Sequence, residues 1–493
     1  MTAKNASPGP VSLPQHRALY YGGGWHEPKA GGTFSAEDPA TGTGLGLIAA
    51  AGAEDVDLAV RAAARAFPEW RATKPLDRTT LLRRVVGIVR GHAEELALLD
   101  AMDGGNPVRA MVTDVHIGLT TLDYLAGLAT EVKGETVPLG DDALDYTVRE
   151  PLGVVARIIP FNHPVMFLLM KMGAPLVTGN TLVFKPAEQT SLSALRLAEL
   201  VGEVFPPGVF NVVTGGRQAG AALVQHPLVA KVGLIGSIPT GRAVLRDAAE
   251  TIKRVDLELG GKNALIGYPD ADPDEVAAAA VHGMNLSWTG GQSCGATSRV
   301  FLHEALYEPT LARIVDRLRK IRLSRPTDPT CEMGCLDNRA QQAKVLSYVE
   351  IGKQEGARLA LGGRAPLDPD LQGGAFVEPT VFADVTQSMR IAREEIFGPV
   401  VAVLAWKDEA AMLADVNAVE YGLTASVWTK DLATAHRAAQ RIEAGYVWIN
   451  SVSTHFLGTP FGGYKQSGFG REECLEELLA YTQTKNVYVR LGP

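Results

Sequence analysis

A cysteine at position 294 lies among small residues, in the stretch WTGGQSCGATSR at 288–299. Gly290, Gly291 and Gly295 flank it, and glycines leave a thiol uncrowded and let a ligand approach the backbone closely. An uncrowded thiolate can act as a nucleophile in covalent catalysis. From this stretch alone, Cys294 is either such a nucleophile or a free cysteine in a tight turn.

Two polar side chains at predicted strand ends suit the chemistry of a thiol nucleophile. Glu258 ends the apolar segment VDLEL, and a carboxyl group in apolar surroundings has a raised pKa, as a general base requires. An ion pair with Lys262 is the alternative interpretation. Asn162 lies between two prolines in PFNHP, where a restricted backbone would hold its amide in one place, as an oxyanion donor requires.

A strand-to-helix turn in the sequence GSIPTG contains Gly236, Ser237 and Gly241. Free N–H groups at a helix N-terminus can hold a pyrophosphate. The pattern is neither the dinucleotide fingerprint GxGxxG nor a P-loop, and a plain turn is the alternative. Lys185 and Glu188, in FKPAEQT, follow a buried strand directly. They are either ligands of ribose hydroxyl groups or solvated loop charges.

The elements that must position these residues follow an alternating pattern. Residues 55–102 have the helical spacing of two or three amphipathic helices. From 181 to 266, short apolar strands alternate with helices, and the segment 255–268 is taken as one strand. A second alternating stretch continues to GYVWIN at 445–450. We therefore predict an α/β fold with two parallel-sheet, Rossmann-like domains, and ligands at the carboxyl ends of the strands.

Two extended segments, ALDYTVREPLG at 143–153 and TKNVYVRL at 484–491, have no obvious hairpin partner nearby. Such segments often pair with the sheet edge of another subunit, so we predict a small β oligomerisation arm. We predict a nucleotide-binding domain at 1–132 and 152–259 and a catalytic domain at 260–466. The arm and the C-terminal segment take up 133–151 and 467–493.

Composition narrows the class of protein. The chain has 493 residues, more than one hydrophobic core usually supports. Hydrophobic residues make up 46% and charged residues 21%, and the formal charge of −8 argues against a nucleic-acid partner. Neither a membrane span nor a signal peptide is predicted, and the first 17 residues are expected to form a loose arm.

The chain contains four cysteines, Cys294, Cys331, Cys335 and Cys474. That number is too small for a disulfide scaffold, and a cytoplasmic location fits best. Cys331 and Cys335 have no second pair and no nearby histidine, so a zinc site is not predicted, and we expect no metal.

Seven motifs together resemble the NAD(P)-dependent aldehyde dehydrogenases, from about residue 20 to the C-terminus. They occur in the family's order: PFNHP, FKPAEQTS, LIGSIPTGR, ELGGK, GGQSCGATSR, EEIFGPV and PFGGYKQSG. The resemblance implies that the Cys294 thiolate attacks an aldehyde to give a thiohemiacetal. The Asn162 amide and the Cys294 N–H would stabilise the oxyanion, and Glu258 would activate the water that hydrolyses the resulting thioester. Lys185 joins these three as a catalytic residue.

The resemblance also implies a set of NAD contacts. Lys185 and Glu188 would hold the adenosine ribose, Ser237 would meet the pyrophosphate, and Glu395 would hold the nicotinamide ribose. The full implied set is Ile158, Pro160, Lys185, Glu188, Gly236, Ser237, Gly241, Leu259, Glu395 and Phe397. A carboxylate at Glu188 should repel the 2′-phosphate of NADP, so NAD is the expected cofactor.

The substrate region departs from the family pattern. Phe161 replaces a tryptophan that many relatives have, and His163 and His455 bring imidazoles. The predicted substrate residues are His163, Met166, Phe167, Met170, His455 and Phe461. We expect an aromatic or medium-chain aldehyde with a polar substituent, unless the two histidines merely fill space.

Three rival functions remain open. A coenzyme-A-acylating semialdehyde dehydrogenase is disfavoured because such members generally lack a glutamate at position 258. A non-catalytic structural relative would need none of Cys294, Asn162 and Glu258. A cofactor-free thiol hydrolase is disfavoured because the Cys294 loop contains no histidine and Glu258 would be the only evident base. We expect a small-molecule aldehyde substrate and a homodimer or homotetramer.

Overall fold

Short apolar strands alternate with longer helices along most of the chain, as the sequence predicts. The computed structural model describes residues 13–29 and 32–492. Most of the predicted N-terminal arm, residues 1–12, lies outside these ranges.

The sheets are built from short strands. In chain order they are β1 (Leu19–Tyr21), β2 (Gly24–His26), β3 (Gly32–Asp38), β4 (Thr43–Ala50), β5 (Thr136–Pro138), β6 (Ala143–Pro151), β7 (Val154–Ile158), β8 (Thr181–Lys185), β9 (Phe210–Val212), β10 (Val229–Ile235), β11 (Arg254–Glu258), β12 (Ala264–Gly267), β13 (Arg299–His303), β14 (Arg358–Leu361), β15 (Thr380–Ala383), β16 (Val400–Trp406), β17 (Tyr421–Gly422), β18 (Thr424–Trp428), β19 (Tyr446–Ile449), β20 (Tyr464–Lys465), β21 (Gly468–Phe469) and β22 (Thr482–Arg490).

The helices cover the faces of the sheets. In chain order they are α1 (Ala53–Ala72), α2 (Pro75–Arg90), α3 (Ala93–Gly104), α4 (Val108–Gly127), α5 (Pro164–Val177), α6 (Leu192–Val201), α7 (Arg217–Gln225), α8 (Ile238–Ala249), α9 (Pro273–Gly283), α10 (Leu286–Thr289), α11 (Tyr307–Arg319), α12 (Arg339–Gln354), α13 (Arg390–Arg393), α14 (Glu409–Asn417), α15 (Leu432–Arg441) and α16 (Leu475–Ala480). The segment 55–102 thus forms three helices, α1 to α3, the upper of the two numbers predicted.

The first large sheet has the order β2-β1-β9-β8-β7-β10-β11-β21. Its five central strands, β9, β8, β7, β10 and β11, are parallel, and antiparallel strands complete both edges. Ile158 lies opposite Lys185, and Ile235 lies opposite Glu258. Because parallel strands end at the same edge, this register brings the ends of four strands together where a ligand is expected.

The second large sheet has the order β14-β15-β16-β13-β12-β18-β19, with only β14 antiparallel. The predicted fold class, α/β with two parallel Rossmann-like sheets, is confirmed. The single strand predicted over 255–268 is wrong, because the structure divides it into β11 of the first sheet and β12 of the second. The break lies at Gly260 and Gly261, which is also where the predicted domain boundary between residues 259 and 260 falls.

The two extended segments pair with each other. β22 runs antiparallel to β6, from Thr482 opposite Pro151 to Arg490 opposite Ala143, and β5 covers the other side of β6. Their partners are therefore within the chain, and β5 and β22 form the edges of this small sheet. β21 belongs to the first sheet, although the predicted arm and C-terminal segment began at residue 467. The other domain limits stay a prediction.

The apolar helix α5 lies in the core between the first sheet and the helices α2 to α4. All of its 14 residues are buried, including Lys171. Within residues 13–29 and 32–492, no helix has the length and apolar character needed to cross a membrane.

Candidate active site

A cavity of about 440 Å³ lies beside the carboxyl edge of the first sheet. Its walls include Cys294 and Glu258. They also include every residue predicted for the substrate: His163, Met166, Phe167, Met170, His455 and Phe461. The structure therefore brings together eight side chains that come from widely separated parts of the sequence.

Cys294 lies on the loop between α10 and β13. The side-chain amide of Asn263 fixes this loop by donating hydrogen bonds to the carbonyl oxygens of Cys294, at 2.7 Å, and Ala296, at 2.9 Å. Burial raises the pKa of the Cys294 thiol to about 12, and the carboxyl groups of Glu258 and Glu395 add to the effect. The resting side chain is thus a thiol, and a base must remove its proton before it can act as a nucleophile.

Glu258 ends β11 and is 7% exposed. Burial raises the pKa of its carboxyl group well above the usual range, and the neighbouring carboxylate of Glu472 raises it further. Its Oε1 has no hydrogen-bond partner among the described residues. Loss of the proton from this carboxyl group is therefore disfavoured, and the group becomes a base only when it loses that proton.

The alternative partner for Glu258, Lys262, is not paired with it. The buried Nζ of Lys262 makes no hydrogen bond to any part of the chain that the structure describes. Burial lowers the pKa of this amine to about 7, and the charge of Arg299 lowers it further. The ion-pair interpretation of Glu258 is therefore wrong.

A buried ion-pair network lies behind Glu258. Glu472 accepts from Lys171 Nζ at 2.7 Å and from Arg157 Nη2 at 3.1 Å, and Arg157 also donates to the Tyr481 hydroxyl at 2.9 Å. The two cations hold the pKa of Glu472 below its usual range, against the opposing effect of burial. Sequence reasoning missed Lys171 and Arg157. Each is a lone cation in an otherwise apolar element, and buried charges need partners.

Asn162 lies just before α5 and is 3% exposed. Its Nδ2 donates to the carbonyl oxygen of Gln292 at 2.9 Å, which ties the side chain to the loop that carries Cys294. Asn106 donates to the carbonyl oxygen of Asn162 at 2.9 Å and fixes its backbone. Since an amide nitrogen carries two hydrogens, one N–H of Asn162 remains available to another acceptor.

The glycine pair after Glu258 allows three segments to meet. A Cβ on Gly260 would overlap the Glu395 carboxylate, and a Cβ on Gly261 would overlap the carbonyl oxygen of Cys294. The N–H of Gly261 also donates to Glu395 Oε1 at 2.9 Å. Close packing at this point therefore sets the position of the Cys294 loop relative to β11.

We expect Gly261→Ala to lower the free energy of unfolding by about 1–3 kcal/mol, the usual effect of overpacking a well-packed site. The added methyl group must displace the backbone of Cys294. Gly295→Ala is the matched control, because the nearest atom to its added Cβ is Ser293 Oγ at 3.9 Å. Urea unfolding of both variants checks this prediction, and equal stability of the two would contradict it.

Lys185 and Glu188 lie at and just beyond the end of β8. Lys185 Nζ donates to the carbonyl oxygens of Pro186 and Gly215, each at 2.7 Å, and burial lowers its pKa to about 8. Glu188 is exposed, and its carboxylate occupies the space that a Cβ on Gly216 would fill. Both polar groups therefore face the carboxyl edge of the sheet, as ribose-binding residues would.

Ser237 is the N-cap residue of α8, which directly follows β10. The first N–H groups of this helix have no partner within it, so they can receive an anion. The N–H of Gly236 donates to the carbonyl oxygen of Glu258 at 2.9 Å, and that of Gly241 to Ser237 at 2.9 Å. A Cβ on Gly241 would overlap the side chain of Leu259, so this glycine allows α8 to pack closely there. These glycines thus shape the turn without offering free donors.

Glu395 and Phe397 approach from the second sheet. Burial raises the pKa of Glu395, which accepts from the N–H of Gly261. Phe397 has a left-handed backbone with φ of 59°, and its ring meets the edge of Phe161 with centroids 5.7 Å apart. Ile158 ends β7, and Pro160 follows within the same turn. The contacts of Glu395 with Gly261 and of Phe397 with Phe161 therefore join the loop before β16 to the residues that follow β11 and β7.

Comparison with known proteins gives matches along nearly the whole chain. The profile of the aldehyde dehydrogenase family matches residues 25–487. The aldehyde dehydrogenase tropH of Talaromyces stipitatus is 50% identical over 497 residues, covering 99% of this chain and 96% of that protein. A betaine aldehyde dehydrogenase of Cereibacter sphaeroides is 45% identical over 457 residues, covering 92% and 93%.

Solved structures agree with the sequence matches. The NAD⁺ complex of an aldehyde dehydrogenase from Bacillus cereus has a TM-score of 0.93 and 42% identity, with 97% of both chains covered. The structure of PnpE in complex with nicotinamide adenine dinucleotide has a TM-score of 0.94 and 41% identity, covering 96% of this chain and 98% of that one. This chain belongs to the aldehyde dehydrogenase family.

Proposed function

We propose that this protein oxidises an aldehyde to the carboxylic acid with NAD as hydride acceptor, through a thioester on Cys294 that water hydrolyses. The observation that carries the proposal is the shared cavity. It combines a thiol, a buried carboxyl group with a free oxygen and apolar walls, beside the carboxyl edge of a parallel sheet.

The first step is attack of the Cys294 sulfur on the aldehyde carbon. Since the pKa of the thiol is raised to about 12, the proton must pass to a base as the bond forms. The free N–H of Asn162 and the backbone N–H of Cys294 would donate to the oxyanion. The hydrogen bond from Asn162 to Gln292 supports this assignment, because it holds the amide beside the Cys294 loop before substrate binds.

The residues around the carboxyl edge fit NAD. Lys185 and Glu188 would bind the adenosine ribose, Ser237 at the start of α8 would face the pyrophosphate, and Glu395 would bind the nicotinamide ribose. Phe397 would pack beside it. When bound, NAD supplies an acceptor for hydride. The Glu188 carboxylate is exposed at this edge, where it would repel a 2′-phosphate, so NAD is preferred over NADP.

Hydrolysis of the thioester is assigned to Glu258. Its raised pKa makes the carboxylate, once formed, a strong enough base to take a proton from water. The neighbouring Glu472 stays ionised between Lys171 and Arg157, and its negative charge keeps the proton affinity of Glu258 high. A buried base of this kind favours release of a free acid over transfer to coenzyme A.

We further propose a cytoplasmic homodimer or homotetramer. The exposed edges of β5 and β22 support a subunit contact through the small sheet. Four free cysteines support a reducing compartment. The proposed domains keep the limits predicted from the sequence, except that β21 is grouped with the first sheet.

The function is tested by NADH absorbance with aliphatic, aromatic and quaternary-ammonium aldehydes, with and without coenzyme A. Betaine aldehyde is included because relatives at 45% identity are betaine aldehyde dehydrogenases. We expect turnover without coenzyme A, and a kcat/KM for NAD at least about tenfold above that for NADP, because a repelled phosphate costs over 1 kcal/mol. Turnover that requires coenzyme A would overturn the hydrolytic assignment.

A further inference from the structure

One imidazole in the cavity wall is held by a buried carboxylate. His163 Nδ1 lies 2.7 Å from Asp114 Oδ2, and Asp114 Oδ1 accepts from Trp288 Nε1 at 2.6 Å. Asp114 is completely buried in α4. An indole nitrogen can only donate a hydrogen bond, so Asp114 Oδ1 is an acceptor. We place the proton between Asp114 Oδ2 and His163 on Nδ1, so that Oδ2 accepts as well.

This hydrogen bond determines what His163 offers a substrate. With its proton on Nδ1, a neutral imidazole has an acceptor at Nε2. Nε2 makes no hydrogen bond to any residue in the ranges that the structure describes. The rings of Phe167 and Trp288 meet the imidazole edge-on, with centroids 5.6 and 5.4 Å away and planes 82° and 85° apart. The ring is thus fixed on three sides, and Nε2 is left for the cavity.

The charged residues of the cavity limit which substrate group could reach Nε2. Met166, Phe167, Met170 and Phe461 are apolar, and other wall positions carry hydroxyl, amide or imidazole groups, such as Thr121, Asn285 and His455. Among the described lining residues, Lys171 is the lone lysine or arginine, and its Nζ is already bound to Glu472 at 2.7 Å. The carboxylates of Glu472 and Glu473 would therefore repel a substrate carboxylate, and no free lysine or arginine among the described lining residues would offset its charge. A quaternary ammonium group has no hydrogen to donate to Nε2.

We propose that His163 selects aldehydes that carry a hydroxyl group, and that it does so by accepting a hydrogen bond from that hydroxyl at Nε2. Asp114 is a positioning residue that fixes the tautomer. The substrate class is an aromatic aldehyde with a neutral hydroxyl group on its ring. This inference rests on the proposed function, since it concerns the substrate of the same cavity.

The test compares meta-hydroxybenzaldehyde with meta-methoxybenzaldehyde at neutral pH, using NAD and the whole protein. The methoxy compound keeps the oxygen but cannot donate a hydrogen bond. We expect a preference of about tenfold in kcat/KM for the hydroxyl compound, the usual effect of one hydrogen bond to a buried group. Benzaldehyde serves as the reference that needs neither interaction.

Asp114→Asn should remove the preference. Trp288 can only donate, so the amide oxygen stays with it and the amide nitrogen turns to His163. The nitrogen then donates to Nδ1, the ring proton moves to Nε2, and Nε2 becomes a donor. The ratio of kcat/KM for the two compounds should fall to about one. His163→Phe should likewise remove the preference, which keeps the test decisive if Asp114→Asn fails to fold.

His92→Gln is the matched control, because it removes an imidazole whose Nδ1 contacts Glu95 at 2.8 Å on α3, outside the cavity. It should leave the ratio unchanged. Equal kcat/KM for the hydroxyl and methoxy compounds in the unaltered protein, with measurable benzaldehyde turnover, would overturn the inference alone. A ratio that survives both Asp114→Asn and His163→Phe would do the same. Absence of turnover with every aldehyde would overturn the proposed function instead.

Discussion

Cys294→Ala is expected to lower kcat for aldehyde oxidation by at least about 10⁴-fold, the size of loss seen when a covalent nucleophile is removed. The cavity offers no second thiol among its described lining residues. The variant should still bind NADH, because Cys294 contributes no predicted cofactor contact. Steady-state assays of NADH formation, with a fluorescence titration of NADH, would measure both properties.

Cys331→Ala is the matched control for this loss. Cys331 is also a buried free thiol, but its Sγ contacts the carbonyl oxygen of Ser324 and lies outside the cavity. Its removal should leave kcat within about threefold of the unaltered value, as is usual for a substitution outside the active site. A Cys294→Ala variant that kept a tenth or more of the activity would show that Cys294 is not the nucleophile.

Local patterns were sufficient for most of the elements that carry this site. The segment RQAGAALVQ has helical spacing and forms α7 over its whole length, and AKVGLIGS includes all of β10 except its first residue, Val229. The motif residues follow strand ends in the sequence, and parallel strands end at one edge. Periodicity and topology together therefore suffice to predict that Lys185, Ser237 and Glu258 lie near each other.

Pairing between distant segments could not be predicted in the same way. β6 and β22 pair although more than 300 residues separate them, and no local signal names the partner of an exposed extended strand. The apolar run 255–268 conceals the passage from one sheet to the other, because both halves are buried. The predicted domain boundary between residues 259 and 260 coincides with this break, and added Cβ atoms on Gly260 and Gly261 would overlap Glu395 and Cys294 there.

Buried polar pairs also could not be predicted from the sequence. The sequence showed that His163 departs from the family pattern, but not that Asp114, 49 positions earlier, holds its Nδ1. Likewise Lys171 interrupts an apolar segment, and its partner Glu472 lies far away in the sequence. Such pairs depend on the packing of α4, α5 and the C-terminal segment, and a single sequence does not encode their distances.

Glu258→Gln is expected to separate the two halves of the reaction. Glutamine has nearly the volume of a protonated glutamate side chain, so packing should be preserved. It cannot become a base. We expect a burst of about one NADH per active site, followed by a steady rate about 10²- to 10⁴-fold below that of the unaltered protein, because the thioester on Cys294 forms but is not hydrolysed.

The pH dependence of the steady rate of NADH formation is a second test of this prediction. The pKa of Glu258 is raised, so the fraction of carboxylate that can serve as base increases as the pH rises through that raised pKa. The steady rate of the unaltered protein should therefore rise toward alkaline pH, and Glu258→Gln should lose the part of the rise that belongs to hydrolysis. Loss of the burst itself would instead assign Glu258 to the deprotonation of Cys294, whose own pKa of about 12 demands a base. An unchanged steady rate would mean that the acyl group leaves by a route that does not use this carboxylate.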